Sequence, residues 1–320
     1  MELKNVLLIG GSGFVGGWIA NRLSQRGVRV TIPTRHRDNT KQLILLPTVD
    51  MVEANVNDPE QLAALMQGQD AVINLVGILH DHDSRLPYGK GFAAAHIELP
   101  KKIIAAMKQT GVRRLVHMSA LGASVNAPSE YLRSKGEGEA AVVAAMGELD
   151  ITVFRPSVIF GPGDAFLGMF AKLLRIFPFF PLGGGAARFQ PVYVGDVADV
   201  FAGCLTDRTT FGQTYELCGP RVYTLRELVE YTGVLIGKPR PILDLGDGGW
   251  AYLQAGLLWL LPNPPMSPDN LRSMDVPSIT DGTHNYPGWQ PMTLESVAPT
   301  YLSTVKPKMR LDTYRFRAGR

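Results

Sequence analysis

Short apolar runs and amphipathic stretches alternate through the first half of the chain. NVLLIG (5–10) predicts a strand, followed by a helix through Trp18–Gln25. VRVTIP (28–33) and VDMVEANV (49–56) predict the next two strands. DPEQLAAL (58–65) opens as a helix, with Asp58 as its cap and Pro59 in a first turn that needs no N–H. DAVINLVG (70–77) is almost continuously apolar, as a strand buried on both faces must be. A helix over 92–109, a strand RRLVHMSAL (113–121), a helix over 129–146 and a strand ITVFRPSVIF (151–160) complete the series. This alternation predicts an α/β fold: a doubly wound parallel sheet of the Rossmann type, with helices on both faces.

Beyond Gly161 the texture changes. GPGDAFLGMF and FPFFPLGGGAARFQP are rich in Gly, Pro and Phe, which suits loops and short helices lining a pocket. VYVGDVADVFAGCL (192–205) reads as strand plus helix and is a candidate return to the sheet. From Tyr223 a helix, TLRELVEYTGVLIG, leads into a Pro-rich C-terminal third. The organisation expected is a dinucleotide-binding domain of residues 1–160 plus about 186–220. A smaller, discontinuous substrate or partner domain takes about 161–185 and 221–305, and a basic tail takes 306–320.

Composition narrows the class. With 320 residues, 45% hydrophobic and 19% charged, the chain can bury a large core and is not disordered. A net charge of +3 gives no footing for nucleic acid. The charge is uneven: Lys306, Lys308, Arg310, Arg315, Arg317 and Arg320 face only Asp312, so the tail is +5 and the remainder −2. Such a tail suits an acidic partner or an anionic lipid surface, and equally a solvated terminus. Two cysteines, Cys204 and Cys218, are too few for a disulfide framework and suit a reducing compartment. VLLIG is too short for a signal-peptide core, and WAYLQAGLLWLL (250–261) is too short to span a bilayer. The expectation is a cytoplasmic protein, peripheral at most at the inner face of a membrane.

The first candidate chemistry is GGSGFVG (10–16), which follows a strand and opens a helix. Its glycines satisfy G-x-G-x-x-G, and the strand–turn–helix context supports a dinucleotide site. Glycines let the backbone approach a pyrophosphate, which amide N–H groups and the helix dipole then stabilise. The end of the second strand reads IPTRHRDN, with no carboxylate for ribose hydroxyls but with Arg35 and Arg37 able to grip a 2′-phosphate. NADP(H) is therefore favoured over NAD(H), unless these arginines are only exposed loop bases.

The second is YLRSKGEGE (131–139), where Tyr131 and Lys135 stand i, i+4 on one helix face. Alone, such a pair reads as ordinary helix neighbours. Here Ser119 ends the strand before it, NLVG (74–77) ends the strand before that, and FRPSVIFGP (154–162) ends the strand after. Strand C-termini in a doubly wound sheet face the ligand crevice. Gly136 and Gly138 each cost roughly 1 kcal/mol of helix propensity, reasonable if another backbone or a cofactor passes close by.

In this order GGSGFVG, NLVG, Ser119, YLRSK and RPSVIFGPGD resemble a short-chain dehydrogenase/reductase of the extended or atypical kind, over about residues 4–220. With QPVYVGDVADVF and PPMSPDNLRSM added, the chain resembles the NADPH-binding accessory subunit of respiratory complex I and its bacterial relatives. The resemblance implies cofactor contacts from Gly10, Gly13, Phe14, Val15 and Gly16, from Arg35 and Arg37, and from Asn55 and Val56. It adds Leu75, Val76 and Gly77, Tyr131 and Lys135, and Pro156, Ser157 and Val158. It further implies a catalytic set of Ser119, Tyr131 and Lys135, with no metal. Tyr131 would be the general acid/base, its phenolate stabilised by the Lys135 ammonium, with Ser119 bonding the substrate oxygen. Asn55 stands where relatives carry aspartate near the adenine, and His96 where many carry asparagine; His96 is read as packing a helix rather than relaying protons.

Phe166, Phe170, Phe177, Phe179 and Phe180 flank the expected cleft and read either as core or as the lining for an apolar, quinone-like substrate. Arg188 is a candidate contact for an anionic substrate group. Three functions stand: an NADP(H)-dependent oxidoreductase acting on an apolar or quinone-like carbonyl compound, a non-catalytic accessory or assembly partner of respiratory complex I, and a sugar-nucleotide epimerase or dehydratase. A peripheral membrane contact is compatible with the second.

Overall fold

A computed structural model of the chain describes residues 3–35, 43–81, 83, 87–246, 248–259 and 266–303. Its first half runs β1 (Asn5–Ile9), α1 (Phe14–Gln25), β2 (Arg29–Thr34), β3 (Val49–Glu53), α2 (Pro59–Met66) and β4 (Ala71–Asn74). A long helical stretch follows without a break: α3 (Lys90–Phe92), a π-helical segment (Ala93–Glu98) and α4 (Leu99–Thr110). Next come β5 (Arg114–Met118), α5 (Glu130–Val143), β6 (Asp150–Pro156) and β7 (Ile159–Phe160). The second half holds α6 (Phe166–Ile176), β8 (Phe180–Leu182), β9 (Arg188–Phe189), β10 (Val192–Tyr193), α7 (Val194–Cys204) and β11 (Gln213–Leu217). It ends with β12 (Tyr223–Thr224), α8 (Leu225–Leu235), β13 (Ile242–Asp244), α9 (Gly249–Trp259), α10 (Pro268–Met274) and α11 (Leu294–Leu302).

Seven strands form one sheet in the order β3-β2-β1-β4-β5-β6-β11, every pair parallel. The inner strands are apolar because both faces are covered: α1 and α7 pack Ile19, Leu23, Val197 and Phe201 on one side. On the other, Leu62 and Met66 of α2, Ile103 and Met107 of α4 and Val142 of α5 form a second core. This is the doubly wound Rossmann arrangement the alternation predicts. Strand order reverses between β1 and β4, so a crevice opens beyond their C-terminal ends, where ligands of such sheets bind.

Three local expectations change. The run 151–160 is two strands, because β6 ends at Pro156, which has no N–H for the ladder, and β7 leaves the sheet to pair with β10. The stretch at 192 therefore does not return to the large sheet. The seventh strand is instead β11, paired with β6. A third apolar cluster, with Phe160, Phe170, Leu174, Phe180, Leu228 and Val297, holds α6, α8 and α11 together. Phe170 and Phe180 are thus core, whereas Phe177 and Phe179 are about half exposed. Cys204 and Cys218 are free, buried thiols. Among the described residues no helix is long and apolar enough to cross a membrane.

Candidate functional site

The turn after β1 is built for close approach. Gly10 has φ +83°, and a Cβ there would sit 3.2 Å from the backbone of Leu75 and Val76 at the end of β4. A Cβ on Gly16 would lie 2.5 Å from Gly11 Cα, and one on Gly13 would lie 3.3 Å from the Gly10 carbonyl. Gly13 caps α1 without a side chain, and the first turn carries no acid. The first N–H groups and the positive helix end therefore face the crevice unopposed, as a diphosphate requires. Phe14 lies beside Gly163, and Val15 packs on the core under the loop.

The opposite lip is the chain from Leu75 to Ile78, held by two buried histidines. Asn74 joins His117 Nδ1 at 3.2 Å and accepts the Val76 N–H at 3.2 Å. His96 Nε2 accepts the Ile78 N–H at 3.0 Å, so its Nδ1 carries the proton toward Ser134 Oγ, 2.8 Å away. Ser134 in turn donates to the Tyr131 carbonyl. Burial, reinforced by the Lys135 charge, pushes His96 down to about 2 and His117 down to about 3, so both are neutral. His96 is a clamp between the crevice lip and α5, in keeping with a packing role.

Helix α5 carries the Tyr–Lys pair and is held at several points along its length. Ser129 accepts the Leu132 N–H, and Asp269 of α10 accepts those of Glu130 and Tyr131 at 2.8 and 3.0 Å. Lys135 is buried and donates to the Met118 carbonyl at 2.8 Å; burial pushes its ammonium down to about 8, against the pull of Glu139. Glu139 is in a two-pronged pair with Arg155 of β6. Tyr131 is half-buried, edge-on to His96 and Phe92 with centroids 5.6 and 6.2 Å away, and packed near Ala120 and Val276. Burial pushes its phenol up to about 12, and among the described residues its hydroxyl makes no hydrogen bond.

The two α5 glycines have a reason in the fold. A Cβ on Gly138 would lie 1.8 Å from the His96 carbonyl, and one on Gly136 would lie 2.4 Å from the Ser124 backbone. The neighbour is polypeptide in both cases.

Ser119 sits between Met118, bonded to Lys135, and Ala120, in the Tyr131 cluster. It is buried, and its Oγ has no partner among the described residues. An orphaned buried hydroxyl is costly, and such a group is the kind a bound ligand can satisfy. Gly77, across the crevice, is within reach of the same group: its Cβ would meet Lys135 Nζ at 3.8 Å.

The remaining residues named from sequence lie around this centre with differing engagement. Leu75 and Val76 pack on the two cores beneath the lip, and Val56 packs on the second. Asn55 is exposed, and its side chain accepts the Asn57 N–H in a turn. Arg35 is exposed just after β2, whose last residue, Thr34, pairs in register with Glu53. Arg37 and the basic tail lie outside the described residues. Leu121 N–H bonds the Pro156 carbonyl, Val158 packs on the third cluster, and Ser157 is bonded to Ser278 at 2.9 Å. Arg188 lines a cavity of about 190 Å³ with Tyr252, Leu271, Met274 and Asp275, next in sequence to Val276 of the Tyr131 cluster.

Sequence reasoning missed Asn74, His117 and Asp269. Asn74 opens NLVG and Asp269 lies in PPMSPDNLRSM, but the partners that give them their roles are distant in sequence, and His117 carries no signature beyond being polar in an apolar run.

The family model for the NAD dependent epimerase/dehydratase family matches residues 6–218. Among curated proteins, the chain is 30% identical to NADH dehydrogenase (ubiquinone) 1 alpha subcomplex subunit 9, mitochondrial, of Arabidopsis thaliana, over 96% of this chain and 82% of that one. The protein of the same name from Mus musculus is 32% identical over 70% of this chain, which spans only 59% of that protein's length. A ceramide reductase of Caulobacter vibrioides is 28% identical over 79% of this chain and 76% of its own. Among solved structures, the UDP-glucose 4-epimerase of Thermus thermophilus, in complex with NAD, superposes with a TM-score of 0.65 at 20% identity, over 76% of this chain and 86% of that one.

Proposed function

The chain belongs to the NAD dependent epimerase/dehydratase family, and we propose that it binds a nicotinamide dinucleotide and exchanges a hydride with the carbonyl of an apolar or quinone-like compound. The observation that carries this reading is the Ser119 hydroxyl, without a partner among the described residues and buried between the contacts of Lys135 and Tyr131 at the C-terminal edge of the sheet. Gly10, Gly13 and Gly16 would hold the diphosphate, with Phe14 and Val15 on the turn, and Leu75–Gly77 and Pro156–Val158 would border the nicotinamide. When bound, the nicotinamide supplies or accepts the hydride.

Within that reading the protein's own groups manage the proton and the charge. Tyr131, protonated at neutral pH, donates to the oxygen of a carbonyl being reduced. Lys135, still charged at neutral pH, opposes the negative charge that develops on the phenol. Ser119 donates to the same substrate oxygen and fixes its position. An apolar substrate is supported by the relative named as a ceramide reductase.

The arginines at 35 and 37 in sequence support NADP(H) over NAD(H), while Glu53 beside Thr34 is the carboxylate an NAD(H) preference would use. Asn55 and Val56 would border the adenine. Titration of the purified protein with NADPH and NADH decides between them: tighter NADPH binding, lost in Arg35→Ala, is expected. Equal affinities would remove the argument. Under the catalytic reading, Tyr131→Phe loses turnover and keeps nucleotide affinity.

The second reading is a nucleotide-holding accessory or assembly partner of a respiratory complex, favoured by relatives named as NADH dehydrogenase subunits. Co-purification with such a complex, together with no turnover across a broad carbonyl screen, would select it. A sugar-nucleotide epimerase or dehydratase has the family model and the shared fold behind it.

A further inference from the structure

The C-terminal end of α6 turns its apolar residues outward. Leu167, Phe170, Ala171 and Leu174 face the core, but Ile176, Phe177 and Phe179, in the turn leading to β8, are 71%, 48% and 50% exposed. The loop from α8 to β13 lies against this turn: Phe180 N–H donates to the Pro241 carbonyl at 2.9 Å, and Arg240 Nε to the Leu174 carbonyl at 3.3 Å. Val234, at the end of α8, is 65% exposed as well.

The same segments carry cations. Lys172, Arg175, Lys238 and Arg240 stand on the same two segments, and none is paired with a carboxylate among the described residues. Residues 166–182 and 231–243 contain no Asp or Glu. Asp244, next along β13, is turned to Arg226 at 3.6 Å. Helix α9, whose Gln254 donates to the Pro181 carbonyl of β8 at 2.7 Å, also exposes Trp250, Leu253 and Leu257 at i, i+3 and i+7.

We infer that this surface docks on an anionic lipid bilayer. Ile176, Phe177 and Phe179 enter the boundary between headgroups and acyl chains, and the four cations meet lipid phosphates. Aromatic and aliphatic side chains with Lys and Arg on the same segments match the two-part chemistry of that boundary. The centre of a protein–protein interface is instead depleted of charge. The inference stands apart from nucleotide binding and from turnover.

Flotation of the full chain with phosphatidylcholine vesicles, with and without phosphatidylglycerol, tests it. Binding to the anionic vesicles alone is expected. Phe177→Ser/Phe179→Ser weakens it by roughly tenfold or more, and Lys172→Gln/Arg175→Gln by about fivefold per cation. All four positions are exposed, so unchanged circular dichroism and nucleotide affinity confirm an intact fold. Equal binding to neutral vesicles, no binding to either kind, or association with an acidic protein in place of lipid overturns the inference. So does binding that survives both variants and is lost only when residues 304–320 are removed.

Discussion

The Asp269 carboxylate accepts the backbone N–H of Tyr131 at 3.0 Å, across 138 positions of sequence. With Glu130 also bound at 2.8 Å, one side chain from α10 caps the helix that carries the Tyr–Lys pair. Asp269→Ala strips two donors of their partner, and a loss of about 1–2 kcal/mol is expected, with roughly half of that for Asp269→Asn. Urea midpoints measure it; an unchanged midpoint for the alanine variant would show that the contact carries no stability. If Tyr131 acts as proposed, turnover falls more than nucleotide affinity.

Ser119→Ala separates structure from function. Its hydroxyl has no partner among the described residues, so removing it leaves stability unchanged or raises it by up to about 1 kcal/mol. Carbonyl reduction should nonetheless drop. A variant that lost stability would mean the hydroxyl is satisfied within the protein and does not wait for a ligand.

Gly138→Ala places a methyl group on the His96 carbonyl, with backbone on both sides and no side chain to yield. A loss of about 3 kcal/mol or more is expected. Gly168→Ala in α6, where a Cβ meets nothing within 4 Å, is the matched control and should gain up to about 1 kcal/mol. Similar effects at the two positions would contradict the backbone approach.

His96 and His117 set an acid limit. Unfolded imidazoles take up protons as pH falls below about 6.5, whereas the buried rings stay neutral down to about 2 and about 3. Between those limits the unfolded chain binds more protons, so stability falls as pH falls. Each histidine contributes about 2 kcal/mol of loss near pH 5. Urea midpoints for the wild type and His117→Gln, taken between about pH 7 and about pH 5, check this; equal slopes would assign the acid limb to other groups.

The parallel sheet and the glycine turn were legible because each is written locally. An uninterrupted apolar strand declares two covered faces, and glycines between strand and helix declare close backbone approach. The two glycines of α5 were legible as anomalies, and the backbone at Ser124 and His96 explains them. What resisted reading is what depends on distant partners. Asp269 has no local reason to cap Tyr131, and Asn74 and His117 meet only once β4 and β5 lie side by side. The π-helical turn at Ala93–Glu98 leaves no mark in an ordinary alanine-rich helix pattern. The seventh strand, Gln213–Leu217, is short and only half-buried, so its apolar pattern is weak.

Several threads run from the crevice rim to one late stretch of chain. Ser157 bonds Ser278, Gln190 accepts the Thr280 N–H, Glu216 N–H reaches the His284 carbonyl, and Trp289 Nε1 reaches Cys218. During synthesis the large sheet has all its strands once Leu217 is made, yet its rim is finished only when this stretch and Asp269 follow. The two halves of the molecule are therefore made in one order and completed in another, as expected where contacts span much of the chain. A chain ending after α8 would keep the large sheet but leave the first turn of α5 without its Asp269 cap.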